Sequence, residues 1–592
     1  MKDFIKNIVA AFVGVAIFSV VALFVTIIGI AGMAASMGTP SATTIADGSV
    51  LVLNLDGTMS DRSPQASPIE YVMGKDGGGM GLAETLSAIR KAKDNDKIKG
   101  IYIEAGELGG YLAELQELRK ALEAFKQSGK WIVAYGDSYT TGAYYVASVA
   151  NKLYLNPIGE INWQGIGSAQ PYFKNVLAKI GVKMIPIKCG KYKSATEIYT
   201  EDHMSEPSRE QTERYVNGWW STICKAVSKS RGIGVDKLND YADRLVTLED
   251  TKNLVKYKMV DGLLYADQIK DVVKGLLDLG KDDNVPQVTV ADMKGVSEKH
   301  EGDVVAVYYA SGDIVDDVPE QSLVTGSDLI VGNDMVSDIN SLADDDNVKA
   351  VVLRVNSPGG SAYASEQIWH AVDLLKKKKP VVVSMGGAAA SGGYYISSGA
   401  NYIFAEPNTI TGSIGIYGIV ADRSELMTKK IGISYDGVKT NRNSLMGSTV
   451  IPMTQEQLNL IQGSVNNGYR LFKSRVAQGR NLSMDKVEEI AQGHVYLGSD
   501  ALALSLVDGL GGLDKAVAKA AQLAKLEKYH AVDYPEAKGL LSRLLDDQVG
   551  GSHLDARLRL ALGDLYEPLM MAQKMECMGR LQARMPISAP LR

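Results

Sequence analysis

Shifted along itself by 250 positions, this chain of 592 residues falls into register with itself. Lys99-Gly100-Ile101-Tyr102-Ile103 lies over Lys349-Ala350-Val351-Val352-Leu353, and Gly109-Gly110 over Gly359-Gly360. Thr141-Gly142-Ala143-Tyr144-Tyr145 lies over Ser391-Gly392-Gly393-Tyr394-Tyr395, and Asn151 and Pro157 over Asn401 and Pro407, with no gap needed between Asp94 and Gly165. Solenoid units repeat every 20–50 residues or so, and a period this long means a duplicated domain instead. The two copies differ where a nucleophile would sit: Thr141 in one, Ser391 in the other.

Each copy opens on an apolar run, Val50 to Leu55 and Val304 to Tyr309, and continues with a helix and a second run, Ile98 to Ile103 and Val348 to Val355. Helices then read at Leu112 to Phe125 and Ala364 to Lys376, followed by strands at Trp131 to Tyr135 and Val381 to Ser384. Strands alternating with helices predict parallel sheets built from βαβ units, an α/β class. Length alone, at about 150 residues per domain, would suggest three to four units, but the duplication argues for two larger ones. Domain limits are expected at 48–300 and 301–540, because the polar stretch Gly280 to Asp303 lacks a long apolar helix face. The residues beyond 541 read as a Met-rich helical tail with a loose end, suited to packing or oligomer contact.

Residues 1–47 read as an anchor and linker. No charge interrupts Ile8 to Met37. A cleavable signal has an apolar core of only about 7–15 residues, whereas a membrane-spanning helix needs about 20. Lys2 and Lys6 precede the run, which predicts a cytoplasmic N-terminus and everything after Asp47 on the outer side. Net charge is −6 with basic and acidic residues interspersed, so nucleic acid is not an expected partner. Cys189, Cys224 and Cys577 are far apart and show neither metal spacing nor a disulfide framework, and six scattered histidines show no zinc motif. No metal or cofactor is expected.

Val381 to Tyr395 reads as a buried strand, a small-residue turn and a helix start, with Ser391 at the turn. Free N–H groups at a helix start favour developing negative charge, and the Gly392 amide directly after the serine is placed as an oxyanion donor. A second donor is expected from the loop Asn356-Ser357-Pro358-Gly359-Gly360. A histidine triad fits poorly, because His370, the only histidine near these motifs, sits in a helix beside Trp369. The remaining base is a desolvated lysine, whose pKa near 10.4 must fall to about 7–8, on the order of 3–5 kcal/mol. Gly190-Lys191-Tyr192-Lys193-Ser194-Ala195 offers two candidates.

Together, Asn356 to Gly360, Ala390 to Tyr395, Thr411-Gly412-Ser413-Ile414-Gly415 and Tyr192-Lys193-Ser194-Ala195 resemble the signal peptide peptidase A (protease IV) family. The resemblance is to its long, membrane-anchored, two-domain form and extends to about Leu526. It implies tandem Clp protease/crotonase-like domains behind one transmembrane helix. It further implies Ser391 as nucleophile, Lys193 as general base, Ser413 as the residue orienting that lysine, and Gly392 and Gly359 as oxyanion donors, with Gly360 an alternative to Gly359. The implied activity is degradation of remnant signal peptides at the outer face of a bacterial inner membrane, by a homotetramer.

Lys179-Ile180-Gly181 against Lys430-Ile431-Gly432 moves the register to 251, which places Lys193 over Ser444. Neither copy is therefore complete, and a site must join Lys193 to Ser391, within one chain or between neighbours. Two other readings fit the fold: a crotonase-type acyl-thioester enzyme, which the anchor opposes, and a silent membrane scaffold, which the joint presence of Ser391, Lys193 and Ser413 opposes.

Overall fold

The computed structural model describes residues 44–64, 79–296, 301–317, 329–536 and 581–585. The apolar run assigned to the anchor lies outside the described residues. Among the described residues no helix is long and apolar enough to cross a membrane.

The first copy builds a six-stranded, wholly parallel sheet from β1 (Ser49–Leu55), β2 (Ile98–Ala105), β3 (Trp131–Tyr139), β4 (Lys152–Ile161), β5 (Gly262–Leu263) and β6 (Gln287–Thr289), in the order β5-β4-β3-β2-β1-β6. The second copy builds β7 (Asp303–Ser311), β8 (Val348–Ser357), β9 (Val381–Ala390), β10 (Tyr402–Ala405), β11 (Ile410–Gly412), β12 (Val495–Leu497), β13 (Gly509–Leu510) and β14 (Tyr529–Tyr534). Its main path runs β12-β11-β9-β8-β7-β14, with β10 pairing β9 and β13, and only β11–β12 is antiparallel. All ten residues of β9 are buried, as expected of a central strand covered on both faces. Helices Leu82–Asp94 and Gly332–Asp344 occupy matching places, as do Leu112–Lys126 and Ala362–Lys378.

The gap-free match of the two copies conceals two compensating shifts. Ile101 pairs with Ile132, whereas its counterpart Val351 pairs with Val381, so the third strands align at an offset of 249. Ser138 and Ala388 pair with Glu160 and Ile410, which restores 250. The second copy reaches its third strand with one residue fewer, and regains it inside that strand: Met385 to Ala388 takes three steps where Gly136 to Ser138 takes two, against partners five residues apart in both. The polar stretch after Gly280 is likewise more than a linker. It supplies β6 to the first sheet and a short helix, Val290–Lys294, capped by Thr289.

A third sheet joins the copies. Its strands run Leu329–Val331, Asp313–Val315, Gly359–Ser361, Gln582–Arg584, Tyr417–Asp422 and Lys183–Lys188. The last belongs to the first copy and pairs antiparallel along its length with Tyr417–Asp422 of the second. Within the stretch expected as a helical tail, Gln582–Arg584 is a strand instead: it lies antiparallel between Gly359–Ser361 and Tyr417, where an extended segment finds backbone partners on both sides, and the tail's residues 541–580 and 586–592 lie outside the described residues.

The cores also merge. Ala388, Ala390, Ile410, Val495 and Leu497 belong to the apolar cluster of the first copy, and Ile187 to that of the second. A buried ionic contact crosses the same boundary. Arg354 of β8 donates to Asp61 at 2.7 Å and to Ser384 at 3.0 Å, and its other nitrogen lies 2.7 Å from Glu117. Both carboxylates come from the first copy and are buried. Breaking such a pair leaves uncompensated charge in a low dielectric. Arg354→Leu should therefore lower stability by about 3–5 kcal/mol, read as a depressed thermal midpoint.

Candidate active site

Strand β9 ends at Ala390 and the helix Gly392–Ser397 begins two residues later, so Ser391 must turn the chain within one residue. It does so at φ 55, ψ −111, a region that favours glycine, and its amide is held by the Gly412 carbonyl at 2.8 Å. A non-glycine residue in such a conformation persists only where its surroundings over-determine it. Ser413, one residue past β11, is similarly strained at φ 50, with its amide on the His494 carbonyl at 2.7 Å.

Lys193 reaches this place through the third sheet. The pairing of Lys188 with Tyr417 is prolonged by Cys189 N–H donating to Ile416 O at 3.0 Å. Tyr192 N–H then donates to Gln492 O at 3.0 Å. Gln211 staples the two copies: its amide donates to Tyr192 O at 3.1 Å and Ser194 Oγ at 3.2 Å, while its carbonyl accepts from Val495 N–H at 3.1 Å. Two glycines make room. A Cβ on Gly190 (φ +93) would stand 2.3 Å from Gln492 backbone, and one on Gly493 (φ +78) 2.7 Å from Lys193 Cβ and backbone nitrogen.

The result is a compact polar centre inside an apolar shell. Lys193 Nζ lies 2.7 Å from Ser391 Oγ, 2.9 Å from Ser413 O and 3.0 Å from Ser413 Oγ. All three residues are fully buried. Burial pushes the Lys193 amine well below the ordinary lysine value. The contact forms within one chain. Lys191, the competing candidate, is exposed, with its ammonium 4.8 Å from the centroid of the Tyr192 ring. His370 is exposed too.

Gly392 and Gly359 converge, since a Cβ on Gly359 would stand 2.7 Å from the Gly392 nitrogen. The Gly359 amide donates to Ser357 Oγ at 3.1 Å, and Gly360 is paired with Ile314 and Ala583. The Ala583 carbonyl oxygen of the C-terminal strand lies against both glycines, 2.1 Å and 3.0 Å from a Cβ built on Gly359 and Gly392. An extended backbone thus already lies against both glycines. In the first copy the matching Thr141 spends its hydroxyl on the Asn162 carbonyl at 2.8 Å.

Gln211, Gly190, Gly493 and the C-terminal strand were not foreseen from sequence. Their roles depend on contacts between residues far apart in the chain, which no local pattern encodes. Among the described residues no group of three or more His, Cys, Asp or Glu could hold a metal ion.

Comparison with known proteins places these features. The model of peptidase family S49 matches residues 124–280 and 373–527, and that of Clp protease matches 322–411. The chain is 34% identical over 480 residues to Protease 4 of Salmonella typhi, covering 79% of this chain and 76% of that one. It is 34% identical over 575 residues to Protease 4 of Haemophilus influenzae, covering 92% and 91%. To the chloroplastic serine protease SPPA of Arabidopsis thaliana it is 29% identical over 485 residues, covering 81% and 70%. The fold is α/β with duplicated domains of Clp protease type.

The tight seat of Lys193 yields a test. Gly493→Ala places a methyl against the lysine backbone and strains a positive φ, so the amine should shift. A displacement near 1 Å at a reacting group costs on the order of 10²-fold. Labelling of Ser391 by a fluorophosphonate should slow by about that factor while the chain stays folded by circular dichroism.

Proposed function

The chain belongs to peptidase family S49 and is a serine protease, and on that premise we propose that it degrades remnant signal peptides through a Ser391–Lys193 acyl-enzyme mechanism. The observation that carries the mechanism is the buried contact of Lys193 with Ser391 and Ser413. A neutral amine donates two hydrogen bonds and accepts one. With its two N–H groups on Ser413 O and Oγ, the lone pair faces the Ser391 hydroxyl.

Lys193 takes the Ser391 proton as Oγ attacks the scissile carbonyl carbon. The Gly392 amide, and that of Gly359 once Ser357 yields it, hold the oxyanion. The resulting ammonium protonates the departing amine, which leaves an ester on Ser391. Lys193 then deprotonates a water that hydrolyses the ester, and the proton returns to the serine. The pairing of Gln582–Arg584 with Gly359–Ser361 supports recognition by strand pairing, with substrate backbone taking the place beside Gly359–Ser361 that this strand fills.

The substrate class, the N-terminal anchor in a bacterial inner membrane, catalytic domains on the outer side and a homotetrameric assembly form the rest of the proposal. An uncharged run from Ile8 to Met37 preceded by Lys2 and Lys6 supports the anchor. A site held against the membrane surface suits apolar peptides left there.

Ser391→Ala and Lys193→Ala should each lower peptidase turnover at least about 10³-fold, whereas Lys191→Ala should stay near wild type. Turnover by Ser391→Ala at the wild-type rate would sink the mechanism. Because both residues sit in one chain, mixed oligomers of the two inactive variants should recover nothing. The pH profile follows from the neutral base: below the lowered Lys193 pKa the amine is protonated and inactive, above it neutral and active. The acid limb of kcat/KM should accordingly rise and level off well below the ordinary lysine range.

A further inference from the structure

The ladder between β8 and β9 opens immediately before the site. Val355 pairs with Met385 and Ser357 with Ala389, so the single residue Asn356 faces Gly386, Gly387 and Ala388. The Asn356 carboxamide replaces the interrupted backbone bonding: its oxygen accepts from Ala388 N–H at 3.1 Å. Its nitrogen donates to Glu114 Oε1 at 2.5 Å, across the boundary between the copies. Asn356 lies three residues before Gly359, and Ala388 three before Ser391. One side chain therefore bridges the segments that carry an oxyanion glycine and the nucleophile, and the first copy holds it.

Glu114 is fully buried in the first turn of the helix Leu112–Lys126, where its other oxygen accepts from Tyr111 N–H at 3.3 Å. Burial first, and the nearby Asp61 carboxylate second, push its carboxyl up to about 8. A buried carboxyl is a poor choice for stability, because an apolar side chain of similar volume would pack without the desolvation penalty. Tyr111 and Asn356 also press on the open segment, since a Cβ on Gly387 would stand 2.2 Å from Tyr111 and one on Gly386 3.0 Å from Asn356. The duplication supplies an internal control. The counterpart of Asn356 in the first copy is Gly106, and that copy carries no nucleophilic serine.

We infer that Glu114 is a positioning residue of the Ser391 site, acting through Asn356 on the Gly359 loop and on the strand end that presents Ser391. The inference rests on the serine peptidase reading. The first copy then supplies two things to the site: the base, and a brace for the oxyanion side.

The full chain in detergent micelles serves for the test, with kcat, KM and thermal midpoint measured on a peptide substrate. Loss of a direct oxyanion donor costs about 10²–10³-fold in kcat, so loss of its brace should cost less, about 10–100-fold. Glu114→Leu and Asn356→Ala should each lower kcat by that factor with KM within about two-fold, because the bond acts on the reacting geometry. The double variant should be no slower than the slower single one, since both remove the same bond. Glu114→Gln, which matches the protonated carboxyl in shape and can still accept from Asn356, should return kcat to within about three-fold of wild type. A wild-type kcat in Asn356→Ala, multiplicative losses in the double variant, or a Glu114→Gln as slow as Glu114→Leu would each overturn the inference. If Glu114→Leu does not fold, Asn356→Ala and Glu114→Gln still decide it, since Asn356→Ala leaves the helix start untouched. Ser391→Ala separates the two readings: activity surviving there defeats the peptidase mechanism, while activity lost there and kept in Asn356→Ala defeats only the brace.

Discussion

Holding a lysine amine away from water, with no carboxylate at hand, opposes the charged form and opposes folding around it unless every remaining contact is in place. At Lys193 those contacts come from elsewhere in the chain. Ser413 and Ser391 receive the amine, Gly415 and Gly493 line its stem, and the pairing of Lys183–Lys188 with Tyr417–Asp422 delivers the segment. None of these partners lies in the copy that carries the lysine. The merged core, the Gln211 staple and the buried Arg354 contact with Asp61 and Glu117 all hold the copies at the separation this single amine requires.

Much of this was legible in sequence because it is written in local pattern. Parallel strands buried on both faces announce themselves as apolar runs, and Val381 to Ser384 starts one, which the structure prolongs through the small residues to Ala390. The turn at Ser391 is written in small residues, and the incompleteness of each copy in the mismatch of Thr141 with Ser391. Choosing Lys193 over Lys191 rested on the family resemblance, and burial against exposure gives the physical reason for it. What stayed hidden depends on long-range register. The shift of 249 in the third strands is invisible in a gap-free match because a connection shorter by one residue and a strand longer by one cancel. Glu114 looks like any acidic residue in a first helical turn until the fold sets it beside Asn356. The strand Gln582–Arg584 sits in a Met-rich tail whose composition says helix.

Divergence between the copies has a consistent direction. In the second copy the open ladder is bridged by Asn356 and the turn serine is left free for the amine; in the first, Gly106 stands at the bridge position and Thr141 is bonded to Asn162 O. The first copy has no serine at the turn and supports its twin, lending it an amine, an ionic contact and a helix start.

The separation of the pair along the chain has a consequence for how such a molecule is made. Lys193 precedes Ser391 by 198 residues. At about 5–20 residues per second, synthesis leaves on the order of 10–40 s during which Lys193 exists without Ser391. On the proposed mechanism there is no nucleophile throughout that interval, and after it no base until strands from both copies have zipped together. Docking is then itself the activation step that the proposed mechanism requires. On that mechanism a nascent chain stays inactive until its halves dock, and an unfolding one falls silent as soon as they part.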